Sequence, residues 1–168
     1  MNYAQIRPYD ASNGAGIRTT IFVSGCTHKC PSCFNTEAQN FNYGNLFTKE
    51  TEDEFIRLSQ NKNIVGINIL GGEPLQQLMD DSLLNLLKRL KEEVGKSIWM
   101  WTGYTWEEVI EDSRKVELIK YVDVLIDGRF EQDKKDLMLK YRGSSNQRVI
   151  KGQESLESNS IVLYEEKM

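Results

Sequence analysis

The chain has 168 residues, of which 39% are hydrophobic and 27% are charged, and its formal net charge at pH 7 is −4. These values are typical of a globular protein, and the length predicts a single domain over residues 1–168. No apolar run approaches the ~20 residues that cross a bilayer, so we expect no membrane partner. Basic residues are scattered among acidic ones, which argues against a nucleic-acid partner.

The first ten residues, MNYAQIRPYD, lack the charged start and apolar middle of a secretion signal, so we expect a cytoplasmic protein. The first predicted element is a strand at Arg18–Gly25, which is rich in β-branched and aromatic residues. Next, Thr51 and Glu54 form a capping-box pattern that predicts a helix through about Ser59. The near-continuous apolar run Ile64–Leu70 predicts a buried strand.

The second half of the chain alternates helices and strands. In chain order we predict a helix from Leu83 to Val94, a strand at Ser97–Trp101, a helix from Trp106 to about Glu111, a helix at Val116–Tyr121, a strand at Val122–Ile126, and weaker strands at Gln147–Lys151 and Ser160–Tyr164. Leucine spacing predicts the first of these helices, and a second capping box, Thr105 with Glu108, predicts the start of the next. The polar segment KGQESLESNS predicts an exposed turn.

Alternating strands and helices predict parallel strands that are joined by crossover helices. A complete eight-unit barrel needs ~250 residues, which exceeds this chain. The expected fold is therefore α/β, a partial, open (β/α) barrel of about five to six mostly parallel strands. Because ligands gather at the carboxyl ends of parallel strands, the loops CTHKCPSC, GGEP, WTGY and DGRF are expected to meet at one edge.

All three cysteines of the chain, Cys26, Cys30 and Cys33, lie within the eight residues CTHKCPSC. An odd number of thiols in a reducing compartment argues against disulfides. Inert buried thiols would be spread over core positions, whereas these lie in a polar segment. A zinc site that includes His28, the one histidine, would need four ligands to converge within a very short segment. Inert buried thiols and a zinc site both remain alternatives.

A cubane iron–sulfur cluster suits the C-x3-C-x2-C spacing better, since it presents four separate iron atoms to a short loop. Three thiolates would leave the fourth iron without a protein ligand. An open coordination site is typical of catalytic metals, and electron carriers normally use four cysteines. The spacing therefore favours an enzyme with a [4Fe–4S] cluster over an electron-transfer module.

The GGEP segment at residues 71–74 suggests a second binding element. Its two glycines allow close approach of the backbone, and Pro74 stiffens the turn. Glu73 supplies a carboxylate that could accept hydrogen bonds from an amine. Taken alone, the motif favours a strand-to-helix turn with a solvated glutamate over a binding element.

Together, the cysteine spacing and GGEP resemble the radical S-adenosylmethionine (SAM) superfamily. NGAGIRTTIFVSGCTHKCPSCFN, YVDVLIDGRF and RGSSNQR look most like its glycyl-radical activating enzymes, in particular those of anaerobic ribonucleotide reductase. The resemblance implies a partial barrel of the radical SAM type. It also implies a [4Fe–4S] cluster bound by Cys26, Cys30 and Cys33, with SAM on the fourth iron.

The same resemblance assigns further residues to SAM. Its amine would be held by Gly71, Gly72 and Glu73. Ser32 and Phe34 are expected near SAM because they adjoin a cluster cysteine, although Ser32 stands where the family often has glycine or an aromatic residue. Asp127 is expected near SAM or a bound cation, with a turn held by an Asp127–Arg129 pair as the alternative.

The activity implied by the resemblance is reductive cleavage of SAM, followed by radical transfer to a glycine of a large partner subunit, the anaerobic ribonucleotide reductase. It also implies an external one-electron donor. One alternative is activation of a different glycyl-radical enzyme. Another, from a different class, is an iron–sulfur or zinc module for metal binding or electron transfer without SAM chemistry.

Overall fold

The computed structural model of the chain describes residues 1–30 and 36–165. Seven strands occur in these residues: Asn2–Asp10 (β1), Arg18–Val23 (β2), Asn45–Leu46 (β3), Gly66–Gly71 (β4), Ser97–Trp101 (β5), Val124–Asp127 (β6) and Arg148–Lys151 (β7). They form one open sheet in the order β3-β1-β2-β4-β5-β6-β7. The central strands β2, β4, β5 and β6 are parallel neighbours, whereas β1, β3 and β7 pair antiparallel at the two sides.

The sheet corrects the predicted number of strands, because the described residues form seven rather than about five to six. β1 and β3 were not predicted. β1 contains Pro8 and lacks a clear alternation of apolar and polar residues, since most of its side chains are only partly buried. Both residues of β3 are exposed. Strands of this kind gain their stability from pairing, which leaves little apolar pattern to detect.

Five α-helices lie in the described residues: Lys49–Ser59 (α1), Ser82–Arg89 (α2), Trp106–Ile110 (α3), Ser113–Ile119 (α4) and Gly152–Ser158 (α5). A π-helical turn at Leu90–Val94 extends α2. The capping box of Thr105 with Glu108 is confirmed at the start of α3. The predicted box of Thr51 with Glu54 is wrong, because Thr48 is the N-cap of α1 and accepts a hydrogen bond from the Thr51 amide.

The C-terminal segment departs from prediction in two places. The predicted exposed turn KGQESLESNS contains α5, whose Ser155 is buried and whose Leu156 packs on the core. The predicted strand Ser160–Tyr164 is wrong, since Leu163 makes a single bridge to Ile150 and no ladder. The polar composition hides α5 because a short helix with one inward apolar residue has no detectable period.

The core divides between the two faces of the sheet. Alternate residues of the central strands, such as Ile67, Ile69 and Met100, pack with apolar residues of the helices in one large cluster. The residues between them face the opposite side of the sheet, where Trp99 and Ile126 belong to a smaller cluster. Among the described helices, none is long and apolar enough to cross a membrane. The face opposite the large cluster, which we call the second face, carries the cavity described next.

Candidate functional site

The loops that leave the central strands meet at one edge of the sheet, as predicted. The Gly72 amide donates to the Val23 carbonyl over 2.8 Å, and the Glu73 amide donates to the Gly25 carbonyl over 2.7 Å. These two bonds join the start of GGEP to the end of β2. The Thr102 amide donates to the Ile126 carbonyl, which joins the start of the loop after β5 to the end of β6.

A cavity of about 570 Å³ opens on the second face at this edge. All four predicted loops contribute to its wall, through residues that include Cys26, Cys30, Gly72, Glu73, Gly103 and Gly128. The volume lies within the range of small-molecule and cofactor sites. Arg7 and Arg142 add positive charge to the wall.

The cysteine segment is anchored at its start. The Gly25 amide donates to Ala38 and the Cys26 amide to Gln39, so the chain leaves and returns beside the end of β2. The side chains of Cys26 and Cys30 are partly exposed and line the cavity. The structure therefore brings two of the three predicted cluster ligands to one wall. Cys33, Ser32 and Phe34 lie outside the described residues, so their predicted roles stay predictions.

The glycines of GGEP are required by close backbone contacts. Gly71 has φ +117°, and a Cβ there would lie 2.4 Å from the Val23 carbonyl oxygen. A Cβ on Gly72 would lie 2.6 Å from the Gly25 carbonyl oxygen. The expected close approach is thus to the chain that leaves β2. Both glycines also line the cavity, and their role toward the SAM amine stays a prediction.

The Glu73 carboxylate is buried and accepts hydrogen bonds from several donors. Its Oε2 accepts from the Leu75 amide at 2.9 Å and from the Thr102 hydroxyl at 2.7 Å. Its Oε1 accepts from the Gly103 amide at 2.6 Å and lies 2.7 Å from His28 Nε2. A carboxylate has about four lone-pair sites, and these contacts fill them. Glu73 therefore connects the GGEP, WTGY and cysteine loops through contacts within the protein.

From the sequence, His28 was a fourth ligand in the zinc alternative and otherwise a loop residue, and the structure places it in a loop that lines the cavity. Its side chain is 6% exposed, its Nε2 contacts Glu73, and its ring packs edge-on against Tyr104 at 4.6 Å between ring centres. One signal in the sequence was the single histidine between two cysteines. Its partner Glu73 is 45 residues away and could not be read from local spacing.

Asp127 is buried beside the cavity, and its carboxylate is already engaged. It accepts from the Trp106 amide at 2.8 Å and from the Arg148 guanidinium at 2.6 Å. Arg129 pairs instead with Glu108, so the alternative of an Asp127–Arg129 pair is wrong. The guanidinium of Arg129 lowers the pKa of Glu108 to about 2. The proposed role of Asp127 near SAM stays a prediction.

The RGSSNQR segment also forms part of the cavity wall. The Gln147 side-chain oxygen accepts from the Gly143 and Ser144 amides at 2.9 and 3.1 Å. Its nitrogen donates to the Gly128 carbonyl over 3.0 Å. This glutamine closes a turn and fixes it to the loop after β6. The motif therefore shapes the cavity, and Arg142 presents its side chain there while donating to the Gln147 carbonyl.

Comparison with known proteins gives concordant matches. A family model described as a 4Fe-4S single cluster domain matches residues 12–150. The anaerobic ribonucleoside-triphosphate reductase-activating protein of Escherichia coli (strain K12) is 43% identical over 152 residues, which cover 89% of this chain and 97% of that protein. The proteins of the same name from Pasteurella multocida (strain Pm70) and Enterobacteria phage T4 are 43% and 40% identical over 150 residues. These alignments cover 88% and 89% of this chain, and 95% and 93% of the relatives.

Proposed function

Because the chain belongs to the family of anaerobic ribonucleoside-triphosphate reductase-activating proteins, we propose that it is the activating enzyme of an anaerobic ribonucleotide reductase. Its cofactors are a [4Fe–4S] cluster and SAM. Cys26, Cys30 and Cys33 would hold the cluster, which would supply the electron for reductive cleavage of SAM and so allow hydrogen-atom abstraction from a glycine of the reductase. The observation that carries the proposal is the meeting of two cysteine thiols and GGEP in one cavity.

The residues of the cavity fit this cofactor pair. Thiolates are the usual ligands of iron–sulfur clusters, and the thiol-bearing Cys26 and Cys30 face a space of about 570 Å³. In the proposal Cys33 completes the ligand set, and Ser32 and Phe34 lie near SAM. Three protein ligands leave one iron for the cosubstrate.

The chain itself positions the cosubstrate. We assign the SAM amine to the segment Gly71, Gly72 and Glu73, which lines the cavity between the cysteine segment and the WTGY loop. Because protein donors already occupy the Glu73 carboxylate, the proposal gives the amine to the backbone of this segment. Arg142 and the loop after β6 close the far wall. Asp127 supports this wall through Trp106 and Arg148, which favours an indirect role for its carboxylate.

The sheet supports a partial (β/α) barrel of the radical SAM type, with the second face as its interior. The four parallel central strands and the helices on one face agree with that architecture. A glycine of another protein has to enter as a loop, so the site needs an opening wide enough for polypeptide. An open sheet leaves such a side entrance, whereas a closed barrel would not.

Several wider features belong to the same proposal. We assign residues 1–168 to a single domain in the cytoplasm, where an external one-electron donor reduces the cluster. The net charge of −4 and the scattered basic residues support the absence of a nucleic-acid partner. The partner is the large, glycine-bearing subunit of the reductase.

Anoxic reconstitution tests the proposal. Protein supplied with iron, sulfide, dithionite and SAM is expected to release 5′-deoxyadenosine, and with its reductase to give a glycyl-radical doublet in electron paramagnetic resonance spectra. Cys30→Ala is expected to abolish both signals, with circular dichroism as the control for folding.

Each alternative predicts a different result. A stable cluster without SAM cleavage would identify an electron-transfer module, and tight zinc without a cluster would identify a structural site. Release of 5′-deoxyadenosine without a radical on this reductase would point to another glycyl-radical enzyme. Any of these three results contradicts the assignment.

A further inference from the structure

We propose that His28 is a positioning residue, which ties the segment between two cluster cysteines to the GGEP and WTGY loops through the Glu73 carboxylate. The identity of the cluster rests on the proposed function. The contacts that carry the inference lie wholly within the described chain.

The hydrogen bond is the first observation. His28 stands two residues from Cys26 and two from Cys30, and its Nε2 lies 2.7 Å from Glu73 Oε1. The side chains of His28 and Glu73 are 6% and 1% exposed. Because the carboxylate accepts, Nε2 carries the hydrogen and donates. Hydrogen bonds to ionised groups are shorter and stronger than those between neutral groups.

The space around the imidazole is the second observation. A Cβ on Gly103 would lie 2.6 Å from His28 Cδ2 and 2.8 Å from Nε2. The backbone of Gly103 is not in the left-handed region, so its φ does not call for glycine. The need for glycine at this position therefore comes from the His28 ring. The ring also packs edge-on against Tyr104.

A parallel set of contacts shows that the same three loops are joined twice. The Gln76 side-chain oxygen accepts from the Thr27 amide, and its nitrogen donates to Thr27 Oγ1 at 2.8 Å and to the Tyr104 hydroxyl at 2.9 Å. This second link lies in exposed or partly buried surroundings. The His28–Glu73 link is the more buried one, so its loss is less readily replaced by water.

The consequence concerns the placement of the thiols. With its lone-pair sites filled by protein donors, Glu73 acts as the fixed point against which His28 holds the cysteine segment. Cys26 is also held by its amide bond to Gln39, so the position of Cys30 relative to Gly71 and Gly72 is the one that depends most on the His28 contact. Small displacements of reacting groups have large effects on rate, so the link matters for chemistry although His28 need not touch the cosubstrate.

The single histidine allows a direct observation of this bond. In the full-length, cluster-loaded protein labelled with ¹⁵N-histidine, one pair of ring-nitrogen signals is expected at a fixed pH. We expect the signals of a ring protonated at Nε2, with that hydrogen in a strong hydrogen bond. A ring with a bare Nε2, or one that averages freely between tautomers, would overturn the proposal.

A mutant cycle tests the geometry. His28→Ala is expected to raise the rate of iron loss to a chelator about tenfold, the change expected for one charge-assisted bond. His28→Gln keeps a donor and should restore most of the retention. As a single substitution, Gly103→Ala should weaken iron retention. In the His28→Ala protein, where the ring is absent, it should have no further effect. Additive losses would show that the ring and Gly103 are independent and would refute the link.

Two readouts separate this inference from the proposed function. Iron loss and ring spectra need neither SAM nor the reductase, so they report on His28 even if no radical forms. The reduced-cluster spectrum with and without SAM should change in His28→Ala and recover in His28→Gln. Unchanged cluster spectra and retention in His28→Ala, with normal radical formation, would leave the function intact and reject the positioning role.

Discussion

At the scale of single residues, Arg18, Glu73 and Asp127 are buried charged groups in or beside the sheet that are satisfied in different ways. Arg18 at the start of β2 donates to Asn68 Oδ1 at 2.7 Å and to the Ser97 carbonyl at 2.8 Å. Burial lowers the pKa of Arg18 to about 10, which leaves it charged at neutral pH. Glu73 and Asp127 instead receive amide and side-chain donors. Each arrangement offsets the cost of removing a charge from water.

The position of these groups separates structural from functional roles. Arg18 joins the amino-terminal ends of β2, β4 and β5, far from the loops that carry thiols. Glu73 and Asp127 lie at the carboxyl-terminal ends, where they fix the walls of the cavity. Buried charged side chains with hydrogen-bond partners thus lie at both ends of the parallel strands. Only the end with the cysteines carries the proposed chemistry.

The Glu108–Arg129 pair gives a prediction on pH. Arg129 lowers the pKa of Glu108 to about 2, so the stability from this pair is present above the unfolded value of ~4.3 and is lost as the pH falls toward about 2. Arg129→Gln should return the pKa of Glu108 toward its ordinary value. Because both side chains are about 40% exposed, the change in unfolding free energy should stay below ~1 kcal/mol.

The measurement is a titration of the Glu108 carboxyl carbon by nuclear magnetic resonance in both proteins. Lys134→Gln is the control, since Lys134 bridges Glu131 in the same loop and leaves Glu108 alone. An unchanged pKa of Glu108 in the Arg129 variant would mean that the pair does not form in solution.

At the scale of elements, apolar content decided which parts could be predicted. β4, β5 and β6 are central strands with almost wholly buried side chains, and their apolar runs identify them. β1 and β3 are paired by backbone bonds with partly exposed side chains, so they leave no such pattern. The short helix α5 was missed for the same reason.

The candidate site followed a similar rule. The convergence of the loops could be predicted because the carboxyl ends of parallel strands share an edge. The contact of His28 with Glu73 could not be predicted, since it depends on the relative positions of two loops that follow different strands. Asp127 shows the same difference, because its partner Arg148 belongs to β7 and not to its own turn.

The start of α1 provides a prediction that separates the structure from the sequence pattern. Thr48→Ala should cost about 1 kcal/mol of unfolding free energy, because it removes the N-cap oxygen that accepts the Thr51 amide. Thr51→Ala should be close to neutral, since alanine favours the first helical turn and the Thr51 amide remains.

Chemical denaturation of the two variants measures the difference. The matched threonines lie three residues apart in the same exposed turn, so each serves as the control for the other. A larger loss in Thr51→Ala than in Thr48→Ala would restore the helix start predicted from the capping-box pattern.

At the scale of the whole molecule, the large core and the proposed cofactor site lie on different faces of one sheet. The large apolar cluster joins the helices to alternate residues of β2, β4, β5 and β6. The cavity with Cys26 and Cys30 opens on the second face. Among the described residues, the large cluster includes neither Cys26 nor Cys30, so the helices pack on the sheet without these two side chains.

This separation predicts the result of removing the cluster. The cluster-free protein should keep the far-ultraviolet circular dichroism of the loaded form and unfold in one cooperative thermal transition. Cluster loss should lower the midpoint temperature without abolishing the transition, because a ligand that binds only the native state adds to its stability. Domains whose folding depends on structural zinc unfold when the metal is removed, so loss of the cooperative transition would contradict the separation of core and site and revive the structural-zinc alternative.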